Sequence, residues 1–258
     1  MEDLLTKEIQ KIAHQIMKTF HDTCEKHQIR YSMAYGTLLG AIRHQNFIPW
    51  DDDVDVFMLR SEYEKFKAVF KSDDCYELLD GNSDDKYPYL FPKIRKKGTV
   101  LIENNISYIN YNIGVYIDIF ILDEIPCGTR AVWKKLYFTI KYKLYRLCVL
   151  NLSQINPFLR PLAFLIRKIF SYHKLAKKCA ETYKNERGEL LRDASMLDKK
   201  MYLKKEDMEL LQAMPFGGDC FLGSSNYNSV LTRFYGDYMQ LPPENQRVSN
   251  HSFYKIQT

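Results

Sequence analysis

Apolar residues recur along this chain with two different periods. Over residues 3–27 they return every three to four positions, which is typical of an amphipathic helix. Further on, short apolar or alternating runs between turn residues predict strands, and other segments again show the helical period. The pattern predicts strands over 31–35, 54–59, 75–80, 89–96, 99–103 and 114–121, and helices over 3–27, 37–44, 61–71, 130–150, 157–187, 204–213 and 226–238.

The order of these elements indicates the fold class. Strands cluster in the first half of the chain, where 89–96 and 99–103 are expected to form a hairpin-like pair, and helices dominate the second half. This order predicts an α+β protein in which a mixed β-sheet is covered by helices. We expect a core over residues 1–127, a helical insertion over 128–187, and a C-terminal helical part over 188–258 that completes the core.

Three aspartates spaced by two residues, Asp51, Asp53 and Asp55, stand at the head of the run DDDVDVFML. Side chains two apart point the same way along a strand, so these carboxylates are expected to line one side while Val54 and Val56 face the core. Clustered like charges repel unless a cation neutralises them, and carboxylates suit Mg²⁺ or Mn²⁺. The spacing predicts a metal-binding edge; the alternative is an acidic, solvated strand end without a ligand.

The segment before the aspartates has the pattern of a strand, a tight turn and a short helix. The free N–H groups at a helix start favour a phosphate, and Gly36 is expected to let that phosphate approach the backbone while Thr37 adds a hydroxyl. Arg43, near the end of this helix, is a candidate to reach a phosphate oxygen. The alternative is that Arg43 only caps the helix C-terminus.

A second basic group of candidate phosphate ligands follows in KIRKKGT. Lys93 and Arg95 are two residues apart, so they are expected on the same side of a strand, where both are candidates to bind phosphate groups. The alternative is an exposed basic strand edge, since Lys96 and Lys97 continue the run.

Charge is distributed unevenly along the 258 residues. Residues 128–187 hold 14 Lys and Arg against 2 Glu, whereas the whole chain carries a net charge of only +5. Basic, aromatic, amphipathic helices of this kind predict peripheral contact with an anionic membrane surface, with a solvated helical layer as the alternative. Nucleic acid is a disfavoured partner. Asn and Arg residues interrupt the apolar runs, so no bilayer span is expected.

The cysteines and the N-terminus bear on the compartment. Six scattered Cys show no CxxC or other zinc spacing, as in ordinary intracellular proteins. The first 20 residues form a charged amphipathic pattern without the apolar stretch of a signal peptide. We therefore expect a cytoplasmic protein, peripheral on the inner face of the plasma membrane if the basic segment docks there.

Several blocks together carry a family resemblance. Gly-Thr, a short helix and a strand with Asp-x-Asp follow the pattern of the nucleotidyltransferase superfamily, and GTLLGAIRHQNFIPWDDDVDVFMLRSEYEKF strongly resembles the LicD family of phosphotransferases, which includes fukutin and fukutin-related protein. The later blocks KIRKKGT, GVYIDIFILDEIP and FYGDYMQLPPENQR resemble the motifs of that family in the same order. The resemblance spans Tyr31 to about Arg247.

The resemblance implies a third metal ligand on another strand, which Asp118 matches. The local pattern agrees, because apolar residues at 115, 117, 119 and 121 form one strand face and leave Asp118 on the other. Asp123 and Glu124, just past this strand, are interpreted as loop charges. The implied site has Asp53, Asp55 and Asp118 as metal ligands. Asp51 is expected to orient the acceptor hydroxyl, to take its proton, or to hold the metal ligands in place without contacting the metal.

The implied activity is transfer of a phospho-alcohol, such as phosphocholine or a polyol phosphate, from a CDP-alcohol donor. The acceptor is expected to be a hydroxyl of a cell-surface glycan or of its lipid-linked precursor, as in lipopolysaccharide or teichoic acid biosynthesis. Three alternatives remain at this point: a nucleotidyltransferase, a glycosyltransferase that uses the DxD motif, and a non-catalytic binding module.

Overall fold

A mixed sheet of seven strands lies at the centre of the protein. The computed structural model describes residues 2–195, 201–249 and 253–257. The strands of the sheet are β1 (Ser32–Met33), β2 (Asp55–Leu59), β3 (Tyr76–Leu79), β4 (Lys93–Lys96), β6 (Tyr116–Ile125), β7 (Leu190–Arg192) and β8 (Leu203–Lys204); outside it, β5 spans Val100–Glu103. The order is β1-β2-β6-β4-β3, and β7 pairs with both β6 and β8.

Helices and two small ribbons complete the architecture. The helices are α1 (Glu2–Lys26), α2 (Tyr35–His44), α3 (Arg60–Val69), α4 (Gly128–Val149), α5 (Arg160–Ile169), α6 (Tyr172–Ala180), α7 (Glu206–Glu209) and α8 (Tyr227–Tyr235), with 3₁₀ turns at Asn104–Ile109, Leu152–Gln154, Pro157–Leu159 and Glu244–Gln246. The ribbons pair β9 (Leu211–Phe216) with β10 (Asp219–Ser224), and β5 with β11 (Phe253–Gln257). The predicted α+β class is confirmed.

The core forms between the sheet and α1. Ala13, Ile16, Met17, Phe20 and Cys24 repeat at the helical period and are all buried, so one stripe of α1 is covered. The ring of Phe20 packs 4.8 Å from that of Tyr31 and 5.0 Å from that of Phe66, which ties α1 to the residue before β1 and to α3. Each large apolar side chain buried in this way stabilises the fold by about 1.5–3 kcal/mol.

Helices α4, α5 and α6 pack around a second apolar cluster. Phe138, Tyr145, Ile166 and Leu175 are buried in it, and Leu90 joins it from the main body of the protein. These helices fall within the predicted insertion over 128–187, whose boundaries stay a prediction. Among the residues that the structure describes, no helix is both long enough and apolar enough to cross a membrane.

The structure corrects the prediction for the C-terminal part. The helix expected over 204–213 is reduced to the four residues of α7, and the chain then forms the β9–β10 hairpin. Gly217 and Gly218 form its turn with φ of +64° and +92°, which glycine adopts without strain. Pro215 also disfavours a helix there because it lacks an N–H. The part expected to be helical is therefore rich in strands.

Two further predictions about strands are wrong. The segments expected as a hairpin-like pair, β4 and β5, do not pair: β4 lies between β6 and β3, and β5 pairs with β11. The strand expected to end at 121 continues to Ile125, so Asp123 and Glu124 are strand residues and not loop charges. Arg60 binds both carboxylate oxygens of the buried Asp123, at 2.5 and 2.6 Å, and this pair supports the longer strand.

Candidate active site

Three neighbouring strands bring charged side chains together on one face of the sheet. Asp55 of β2 is the parallel register partner of Asp118 of β6, and Asp118 is the antiparallel partner of Lys93 of β4. Side chains of register partners point to the same face, so the central Asp118 has Asp55 on one side and Lys93 on the other. All three residues are buried.

The carboxylates are close enough to share one cation. Asp53, Asp55 and Asp118 each place a carboxylate oxygen within 4.8 Å of the others. Burial, and then the negative charges of Asp53 and Asp118, raise the pKa of Asp55 well above its ordinary value. An all-oxygen set of buried, mutually repelling carboxylates is the donor set that Mg²⁺ and Mn²⁺ prefer, so these residues fit a divalent ion.

Asp51 and Asp53 lie beside this face of the sheet, but they are loop residues and not strand residues as predicted. Strand β2 begins only at Asp55, so the three aspartates do not line one strand; Asp51 and Asp53 lie in the preceding loop. The loop is held because the backbone N–H of Asp51 donates to Ile48 at 2.9 Å and its carbonyl accepts from Gln10 at 2.7 Å. Carboxylate oxygens of Asp51 and Asp53 lie within 4.8 Å of each other.

Gly36 and Thr37 position these carboxylates. A Cβ at residue 36 would collide with the carboxylate of Asp51, so glycine gives that side chain its place against α2. The Thr37 hydroxyl accepts a hydrogen bond of 2.8 Å from the backbone N–H of Asp55, which fixes the start of β2. The space expected to admit a phosphate at Gly36 therefore holds a carboxylate, and direct contact of Gly36 or Thr37 with a phosphate stays a prediction.

Lys93 differs from the expected phosphate-binding lysine. Its side chain is 2% exposed, its ammonium lies 2.5 Å from a carboxylate oxygen of Asp118, and it lies over the rings of Tyr116 at 3.6 Å and Tyr89 at 4.5 Å. The alternative of an exposed basic edge is also wrong at this position. A lysine this deeply buried requires a negative partner, so Lys93 compensates part of the negative charge of the cluster.

The two arginines predicted at the site are bound to protein groups. Arg95 donates to the carboxylate of Glu77 on β3 at 2.7 and 3.0 Å and to the carbonyl of Asn112 at 2.7 Å. Arg43 donates to the carbonyl of Tyr238 at 2.9 Å, which ties the end of α2 to the chain after α8, so it does not cap its own helix. A role of either arginine in donor binding stays a prediction.

Sequence reasoning missed two polar partners of the site. Tyr235 is 43% exposed, but desolvation of its hydroxyl, and then the charges of Asp55 and Asp51, raise its pKa above the ordinary value, so the hydroxyl keeps its proton beside the carboxylates. Asp52 is buried and accepts a 2.7 Å hydrogen bond from Ser249. The signal for Tyr235 was its place in the block FYGDYMQLPPENQR, whereas the contact between Asp52 and Ser249 joins segments 197 residues apart.

Comparison with known proteins agrees with this geometry. Residues 28–145 match the family described as LicD/FKTN/FKRP, nucleotidyltransferase domain. The chain is 30% identical over 269 aligned positions to the lipopolysaccharide cholinephosphotransferase LicD of Haemophilus influenzae, covering 97% of each protein. Uncharacterized proteins of Rickettsia typhi and Rickettsia prowazekii are 41% and 45% identical over 56 and 49 residues, about a fifth of this chain. The chain belongs to the LicD family.

Proposed function

We propose that this protein is a phosphotransferase that requires a divalent metal and moves a phospho-alcohol, phosphocholine in the first place, from a CDP-linked donor to a glycan hydroxyl. The acceptor is a cell-surface glycan or its lipid-linked precursor. The observation that carries the proposal is the cluster of Asp53, Asp55 and Asp118, within 4.8 Å of one another. It occurs in a chain similar over 97% of its length to a lipopolysaccharide cholinephosphotransferase.

The donor half of the site follows from the buried charges. Asp53, Asp55 and Asp118 would hold Mg²⁺ or Mn²⁺, which when bound neutralises the charge of the donor diphosphate and of the departing CMP. Lys93 holds Asp118 in place through its 2.5 Å contact. Thr37 fixes the backbone of Asp55, so two of the three ligands are preorganised by neighbouring strands and by α2.

The acceptor half contains Asp51 and Tyr235. The Asp51 carboxylate is close enough to that of Asp53 to face the same bound substrate, which suits orienting the acceptor hydroxyl or taking its proton. The protonated Tyr235 hydroxyl can donate a hydrogen bond to an oxyanion. In the proposed step the hydroxyl oxygen of the acceptor bonds to the phosphorus that carries the alcohol, and its proton passes to Asp51 or to water. The bond from that phosphorus to the CMP oxygen breaks, and CMP leaves with the electron pair.

The six cysteines support the cytoplasm as the compartment for this reaction. All six are free thiols, and Cys75, Cys127 and Cys220 are exposed. Exposed unpaired thiols are typical of a reducing compartment.

The test is to incubate the protein with Mg²⁺ or Mn²⁺, a panel of CDP-alcohols and a lipopolysaccharide acceptor, and to identify every product by mass spectrometry. The proposal predicts release of CMP and an acceptor heavier by a phospho-alcohol. Release of the free alcohol phosphate with a cytidylylated acceptor would indicate a nucleotidyltransferase, and turnover of UDP-sugars would indicate a glycosyltransferase. Asp55→Asn tests the site, with Asp74→Asn, at an exposed carboxylate, as the matched control.

A further inference from the structure

Exposed apolar side chains are concentrated in one part of the protein. Of 19 large hydrophobic residues exposed in the described part of the chain, 13 lie between 132 and 170. Phe158 is 92% exposed and Trp133 is 69% exposed. Scattered exposed apolar residues are normal on a protein surface, but a concentration of this kind marks a surface that contacts something else.

The helical period places nine of these 13 side chains on the outer faces of α4 and α5, and the other four lie in the segments that flank α5. On α4, positions 132, 133, 136, 137 and 140 are exposed and apolar, whereas Phe138 and Tyr145 are buried on the opposite side. On α5, Leu162, Leu165 and Ile169 are exposed, whereas Ala163 and Ile166 pack inward. Each helix therefore has an inner apolar face that holds the fold and an outer apolar face that the fold does not use.

Positive charge accompanies these outer faces. Residues 128–170 contain nine Lys and Arg and no Asp or Glu. Lys143, Arg146 and Lys168 are exposed, and none of them takes part in an ion pair with another described residue. Lys168 lies 4.8 Å from the ring centre of Phe164. By contrast, Arg130 and Lys134 bind Glu186 at 2.6 and 2.9 Å, so they serve the fold.

We propose that the outer faces of α4 and α5 and the exposed Phe158 in the turn before α5, with Lys143, Arg146 and Lys168, form a docking surface for an anionic lipid bilayer. The apolar side chains enter the boundary between head groups and acyl chains, and the basic side chains bind lipid phosphates. Charge complementarity selects this occupant. A second copy of the chain would bring two basic surfaces without a single carboxylate against each other, and a neutral apolar partner would leave the cations unpaired.

The docking surface is independent of the proposed chemistry, because none of its residues belongs to the carboxylate cluster. If both hold, docking brings the site to the membrane, where a lipid-linked acceptor would be present. The two ideas fail separately. Vesicle binding without transfer would contradict the proposed function alone, and transfer to a soluble acceptor without vesicle binding would contradict the docking surface alone.

Trp133 offers a direct reporter of docking. The chain has two tryptophans, so Trp50→Phe leaves Trp133 as the sole tryptophan, which is excited selectively at wavelengths where tyrosine does not absorb. With vesicles of phosphatidylcholine and phosphatidylglycerol, the Trp133 emission should shift to the blue and be quenched by brominated acyl chains. Vesicles of phosphatidylcholine alone should give much less of either change. No quenching, or equal quenching by both vesicles, would overturn the proposal.

Two triple variants separate the apolar and basic parts in a vesicle sedimentation assay. Phe158→Ser/Leu162→Ser/Leu165→Ser and Lys143→Gln/Arg146→Gln/Lys168→Gln should each weaken binding at least about tenfold. The matched controls, Leu4→Ser/Leu210→Ser/Val248→Ser and Lys11→Gln/Lys26→Gln/Lys71→Gln, change exposed residues outside the surface and should bind like wild type.

Added salt should weaken binding of the wild type and should have little effect on the basic-residue variant. Equal binding by a variant and its control would overturn the proposal. So would a dimer in analytical ultracentrifugation that dissociates in the serine variant while vesicle binding is absent. Circular dichroism of both triple variants checks that α4 and α5 remain folded.

Discussion

The carboxylate cluster and the docking surface contrast in what they do with charged and apolar groups. At the cluster, Asp55, Asp118 and Lys93 are buried, although charged groups lose favourable hydration there. On α4 and in the 3₁₀ turn before α5, Trp133 and Phe158 are exposed, although burying them would stabilise the fold. Neither arrangement is the most stable use of its residues, so each indicates a requirement other than folding.

The largest effect is expected at the cluster. Asp53→Asn or Asp55→Asn should abolish transferase turnover and leave the fold intact or slightly more stable, because the change relieves repulsion between carboxylates. Activity is measured at saturating metal, and stability by urea unfolding. Retention of more than about a tenth of wild-type activity, a change below about 1.4 kcal/mol in the barrier, would contradict the assignment. Vesicle binding by these variants should equal that of the wild type, because the carboxylate cluster is not part of the docking surface.

The next effect concerns the buried ion pair. Lys93→Met should reduce the free energy of unfolding by about 3 kcal/mol, because it leaves the Asp118 carboxylate buried without its 2.5 Å partner. Adding Asp118→Asn should restore much of that loss, since residue 118 then no longer buries a charge that has lost its lysine partner. Urea unfolding of the two single variants and the double variant gives the coupling. Strictly additive losses would show that the pair contributes nothing, and Lys71→Met is the exposed control.

A smaller effect on stability is expected at Glu186, which joins the start of α4 to the segment after α6 through Arg130 and Lys134. Hydrogen bonds from Arg130 and Lys134 lower the pKa of Glu186 from 4.5 to about 2. Because the folded state favours the ionised carboxylate, this contribution to stability is present above pH 4.5 and is lost as the pH falls towards 2.

Glu186→Gln should therefore cost about 1 kcal/mol at neutral pH, a modest amount because Arg130 is largely exposed. The difference from wild type should shrink steadily in acid. Urea unfolding at neutral pH and at about pH 3 measures it. A difference that does not depend on pH would contradict the pairing.

Periodicity and local spacing predicted the fold class and the position of Asp118. Alternation along β6 places Ile117 and Ile119 on one face and Asp118 on the other, and such a pattern depends only on neighbouring residues. The burial of Lys93 and its pairing with Asp118 could not be predicted from such a local pattern. Its burial depends on Tyr89 and Tyr116, and on the register of β4 against β6, which a single sequence does not reveal.

Long-range pairing explains the other errors. The partner of β5 is β11, a strand some 150 residues later, so no local signal could separate β5 from β4. The β9–β10 hairpin, by contrast, did have a local signal in Gly217 and Gly218, which the helical period of the preceding residues obscured. The exposed outer faces of α4 and α5 were only partly predictable from the sequence, because the helical period does not show which apolar face of a helix is covered by other residues.

Titration with Mn²⁺, followed by electron paramagnetic resonance of the free ion, tests most directly the claim that the cluster is a metal site. Wild type should remove Mn²⁺ from solution, more strongly with CDP-choline present, and Asp55→Asn should lose this binding. Asp74→Asn should behave as wild type, since that carboxylate is exposed and outside the cluster. Identical isotherms for wild type and Asp55→Asn would contradict the account.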